Sequence, residues 1–190
     1  MTTLDELERA LTVPQKEWLA AAKAEPDALE THFARAGRKL GRDEIAPGWT
    51  AGEAGRALLL ADQPAGRIRS VYERGDATEK LAVLKALPLV DKDVGDQGVP
   101  LLLDALRTND TRLVAEALGP YARHLDAATW RQGVIKCVFM GIPLDRVSDL
   151  DERTDAELIA MLRGLAEERQ AAGRDMSEDA TALLEGSEKR

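Results

Sequence analysis

Cysteine is almost missing from this chain: Cys137 is the only one in 190 residues. One thiol cannot close an internal disulfide or build a cysteine-rich zinc site, so a reducing, cytoplasmic setting is expected. Histidine is nearly as scarce. His32 and His124 are the only two, and they form no His-x-x-x-His pair, which removes a histidine-rich metal site. The first residues have no basic start leading into an apolar run, and no apolar stretch approaches the roughly 20 residues that span a bilayer. Neither a secretory leader nor membrane insertion is therefore expected. Lys and Arg do not gather into a stripe, and a net charge of −8 repels a phosphate backbone, which argues against nucleic acid as a partner. There is no G-x-S-x-G elbow, no Walker-type phosphate loop and no G-x-G-x-x-G after a strand, and no cofactor is expected.

Aromatic residues make up only 4% of the chain, so Leu, Ala and Val must fill the core. With 44% hydrophobic and 32% charged residues the composition is globular, and its Ala- and Leu-rich character favours helices. The length suits a single domain.

The helical punctuation is regular. Thr3 with Glu6 forms a capping box ahead of Leu4, Leu7 and Leu11, and Pro14 opens a second helix carrying Trp18 and Leu19. A third helix, through Leu29, Phe33 and Leu40, stops at Gly41, and Gly41 to Trp49 reads as an irregular linker. Thr50 with Glu53 and Asp76 with Glu79 repeat the box, while Pro64 starts the run holding Ile68, Val71 and Tyr72. Val99 to Leu106 supplies a further helix. Asn109 or Asp110 caps the next, and Asp126 caps a longer run of Trp130, Val134, Cys137 and Val138 that ends at Gly141. Thr154 with Glu157 opens the last long helix, which reaches Gly173, and Ser177 begins a short terminal one. No run alternates over strand length, so a sheet is not expected. The predicted class is all-α: antiparallel helix pairs stacked as a short HEAT-like α-solenoid or a compact helical bundle.

Candidate chemistry is sparse. Asp91, Asp93, Gly95 and Asp96 lack the terminal bidentate Glu of a calcium loop and read as a solvated acidic loop. Cys137 and Trp130 sit at core spacings, and Trp49 just before Thr50 reads as a hydrophobic staple. The most suggestive polar set is Arg107, Asn109, His124, Lys136 and Arg146, all near the ends of successive helices. On one concave surface their donors suit a phosphate, sulfate or carboxylate. The competing reading is structural, with Asp104, Glu116, Asp126 and Asp151 close in sequence to supply ion pairs and caps.

The blocks Arg107-Thr108-Asn109, Gly119-Pro120-Tyr121, His124, Trp130, the KCVFMG run from Lys136 to Gly141 and Pro143-Leu144-Asp145-Arg146 resemble the EboA family. The likeness takes in Trp49, Ala86-Leu87-Pro88, Asp151, Glu167-Glu168-Arg169 and Ala172-Gly173-Arg174. It defines a core over residues 49–174, flanked by a helical segment, 1–48, and a short helix and tail, 175–190. The resemblance implies a bacterial, helical, HEAT-like protein encoded beside other Ebo proteins and tied to moving secondary-metabolite precursors toward the periplasm. It carries over no active-site residues.

Two functions follow. The first is a non-catalytic metabolite-handling or scaffold protein, holding a small anionic metabolite or a partner protein from the same gene cluster on a concave helical face. The second is a cofactor-independent biosynthetic enzyme for elimination or cyclisation. There Arg146 and Lys136 hold an anionic leaving group, and His124 or Asp126 moves a proton. The Leu183-Leu184 segment is a candidate docking surface for another chain in a homo- or hetero-oligomer.

Overall fold

Helix starts are written into this sequence as polar caps, and the structure uses most of them. The computed structural model describes residues 2–187. The chain divides into two compact units, Met1–Leu101 and Leu102–Arg190. Both are built of helices, so the class is all-α.

In the first unit, α1 (Leu4–Ala10) opens with the Thr3–Glu6 box and α2 (Val13–Lys23) with a second box. In that box the Thr12 N–H donates to Gln15 Oε1 at 2.8 Å. A 3-10 turn at Pro26–Ala28 leads into α3 (Leu29–Leu40), which ends at Gly41 with φ of 94°. The expected irregular linker is instead a small antiparallel hairpin, β1 (Glu44–Ala46) with β2 (Trp49–Thr50). Its strands are too short for an alternating pattern to register, and a bulge shifts the pairing between Glu44 and Ala46. The turn is held from both sides. The Gly48 N–H donates to Glu44 Oε1 at 2.9 Å, and Lys85 Nζ donates to the Gly48 carbonyl at 2.6 Å.

The hairpin delivers the chain into α4 (Ala51–Leu60), capped by Thr50 and Glu53 as expected. Every residue of α4 except Glu53 is buried, so this helix has no solvent face and α1, α2, α3 and α6 (Ala77–Ala86) pack around it. Its Ala and Gly content makes that possible. A Cβ on Gly52 would lie 2.9 Å from both Gly37 Cα and the Gly41 carbonyl oxygen, and one on Gly55 would lie 1.9 Å from Leu40 Cδ1. α3 and α4 therefore touch backbone to backbone. Among the described residues the one buried charge is Arg56, whose Nε donates to the Phe33 carbonyl at 3.0 Å and whose guanidinium stands 5.4 Å from the Phe33 ring centre. Burial lowers its pKa, while the carboxylates of Glu79, Asp76 and Glu53 oppose that shift.

α5 (Ala65–Arg74) and α6 follow from Pro64 and Asp76. The acidic segment expected to be a loop winds into one turn, α7 (Asp91–Val94), and a 3-10 stretch at Gly95–Gly98. The boundary between the units then falls inside α8 (Val99–Arg107).

In the second unit, Asp110 rather than Asn109 caps α9 (Thr111–Ala117). A 3-10 turn at Pro120–His124 precedes α10 (Ala127–Met140), which begins at Asp126 and ends at Gly141 in the left-handed conformation. Another 3-10 turn, Leu144–Arg146, and α11 (Leu150–Arg153) lie where no element was expected. α12 (Ala156–Ala171) is capped by Asp155, one residue later than expected. Thr154 is occupied elsewhere, its hydroxyl donating to the Leu150 carbonyl at 2.6 Å. α13 (Glu178–Ser187) closes the described chain. Trp130 is the largest fully buried side chain, and Arg153 lies over it at 4.7 Å while donating to the Ala122 and Leu125 carbonyls at 2.7 and 2.8 Å.

Candidate functional site

α10 carries its apolar stripe at Trp130, Gly133, Val134, Cys137 and Val138, the i, i+3, i+4, i+7, i+8 spacing of a buried face. Phe139 falls off that stripe and is 67% exposed, an unusual position for a large aromatic side chain. It stands at the edge of a groove of about 670 Å3 formed by α8, α10 and α12. Leu103 and Leu106 line it from α8, Ile135 and Met140 from α10, and Leu165 from α12. The volume falls in the range of small-molecule sites.

Three of the polar residues singled out in the sequence share this groove: Arg107, Asn109 and Lys136. Lys136 is half-buried and donates from Nζ to the Leu106 carbonyl at 2.6 Å, satisfying an orphan acceptor at the end of α8. An ammonium has three donors, so two remain. Arg107 and Asn109 are exposed, and among the described residues no hydrogen bond or ion pair engages either side chain. Gln132 and Thr129 extend the polar wall along α10, and Glu168 adds one carboxylate from α12.

The other candidates lie outside the groove lining. His124 sits in the 3-10 turn with its ring 4.7 Å from that of buried Tyr121. Asp126 caps α10, accepting from the Thr129 N–H at 2.9 Å and the Thr129 hydroxyl at 2.7 Å. Those two bonds lower its pKa, which makes it a poor proton carrier near neutrality. Arg146 is exposed, with its nearest guanidinium nitrogen 3.9 Å from Glu116 Oε2. Cys137 is fully buried, and burial pushes its thiol pKa up to about 11, so it packs as a small apolar side chain.

A second hollow, about 640 Å3, opens between α11, α12 and α13 beside Asp151, Asp155, Asp179 and Leu183. Two of its carboxylates already have structural duties. Asp155 pairs with Arg131 and caps α12, and Asp179 accepts from the Leu144 N–H at 2.6 Å. In the groove on α10, Arg107 and Asn109 carry no such duty among the described residues.

The family profile described as Metabolite traffic protein EboA matches residues 28–185. This chain belongs to the EboA family. The match begins well before Trp49, so it takes in α3 and the hairpin as well as the region where the resemblance was read. Every groove residue lies inside the EboA match. No curated protein and no solved structure matches the chain. Among the described residues, no helix is long and apolar enough to cross a membrane, and no three His, Cys, Asp or Glu side chains are placed to hold a metal ion.

Sequence reasoning missed the apolar half of the groove. A signal was present in Phe139, the large side chain that does not fit the stripe of its own helix.

Proposed function

We propose that this EboA protein is a non-catalytic metabolite-handling protein of a bacterial secondary-metabolite pathway, holding a small anionic metabolite in the α8–α10–α12 groove. The observation that carries this reading is the convergence of Arg107, Asn109 and Lys136 on one hollow of about 670 Å3, with Arg107 and Asn109 side chains unengaged among the described residues. A groove that stays open on one side suits capture and release more than chemistry, because catalysis gains from excluding water. The exposed rim around Phe139 leaves room for a partner protein from the same pathway to receive the cargo.

Native mass spectrometry of the purified chain incubated with a metabolite extract tests this. The expected result is a bound small molecule, recovered chemically unchanged, whose occupancy falls in Arg107→Ala. Recovery of a converted product, with conversion lost in His124→Ala, would replace the carrier reading with the enzymatic one. No adduct from any extract would remove both.

A further inference from the structure

The side chains that α10 gives to the groove change character along the helix. Thr129 lies in the first turn of α10 and Met140 at its last residue, a distance of about 16 Å at 1.5 Å per residue. In the first half of α10 the lining side chains Thr129 and Gln132 are polar. Lys136 and Arg107 supply the cations. Phe139 and Met140 in the last turn are apolar, and Leu103, Leu106, Ile135 and Leu165 add further apolar wall to the lining. Such a wall is costly to leave against water, and it gains from contact with an apolar ligand surface. Met140 adds a flexible, polarisable side chain that adapts to irregular shapes. Among the described residues Glu168 is the one acidic side chain lining the groove, against two cations, so an anion is favoured over a cation.

We infer that the ligand is amphipathic: one anionic head held by Arg107 and Lys136, with a flexible apolar chain lying against Leu103, Phe139, Met140 and Leu165. This rests on the groove being the metabolite site, and it adds the apolar body and its direction. The cation near mid-groove and the apolar end together exclude a small hydrophilic anion as the best-fitting cargo.

Isothermal titration calorimetry on the full chain provides the test, with dodecanoate, dodecyltrimethylammonium and acetate as probes, each kept below its micelle-forming concentration. Dodecanoate is expected to bind and the other two to bind at least tenfold more weakly. Arg107→Ala should weaken dodecanoate by about tenfold, the loss of one charge-assisted hydrogen bond. Phe139→Ser should weaken it without changing the melting temperature, because that side chain is already exposed. Val13→Ser is the control: Val13 is 68% exposed but lies in the first unit, so its loss should change nothing. Equal binding of the ammonium probe would overturn the assignment of the head. Dodecanoate binding insensitive to both groove variants would overturn the site. If dodecanoate fails while mass spectrometry finds a bound polar metabolite, the amphipathic inference falls and the carrier reading stands. If both fail, both are lost.

Discussion

The two units of this chain differ in how closely backbone approaches backbone. In the first, α4 is surrounded by its neighbours, and glycines at 37 and 52 let α3 and α4 approach until backbone meets backbone, while Gly55 makes room for the Leu40 side chain. In the second, long side chains reach across to carbonyls: Arg153 to Ala122 and Leu125, and Lys136 to Leu106. Backbone contact leaves no room for a ligand. In the second unit the groove lies beside one of these reaches, since Lys136 both lines it and donates to the Leu106 carbonyl.

The sharpest test of this contrast compares glycines. Gly52→Ala gains about 1 kcal/mol of helix propensity but sets a methyl against immovable backbone, so a net loss of about 2–3 kcal/mol is expected in chemical denaturation. An unchanged midpoint would show that α3 and α4 are not in such close contact. Gly133→Ala, in the second unit, meets side-chain methyls, those of Leu118 at 2.8 and 3.2 Å and one of Leu106 at 3.4 Å. These side-chain atoms can yield, so the change should stay within about 1 kcal/mol of the parent.

Next in size is Arg153→Met. It removes two charged hydrogen bonds to carbonyls and the cation over Trp130, for an expected loss of about 2 kcal/mol. A loss no larger than that of an exposed arginine would break the picture of side chains reaching across to carbonyls.

The smallest effect is pH-dependent and belongs to the first unit. Burial raises the Glu53 pKa, but the Lys85 ammonium at 2.8 Å and the Thr50 hydrogen bonds outweigh it, so the net shift is downward. A carboxyl whose folded pKa lies below its unfolded value of about 4.3 adds stability at higher pH, and that contribution fades as pH falls through the folded value. Glu53→Gln should therefore cost about 1 kcal/mol at pH 7, and the gap to the parent should close below about pH 4. A gap constant from pH 7 to pH 3 would mean the ion pair contributes nothing.

Local signals in the sequence transferred well, because a cap needs only a polar side chain and its partner three residues on. Thr3, Thr50, Asp76 and Asp126 all start helices where the sequence places them. Thr154 failed because Asp155 beside it is an equally good cap and Thr154 turns back to Leu150. The hairpin was invisible since it depends on distant tethers such as Lys85. The site was half legible. Spacing along the chain says that Arg107, Lys136 and Arg146 sit near helix ends, but the side each faces is settled by packing, which carries Arg146 toward Glu116 instead of into the groove.

Trp130 has one more use. Its indole N–H has no hydrogen-bond partner among the described residues, and the ring is sealed under a guanidinium. The other two tryptophans, Trp18 and Trp49, both belong to the first unit. With those two replaced by phenylalanine, the remaining chromophore becomes a private optical gauge of the second unit, so the melting of one half can be followed while the other stays dark.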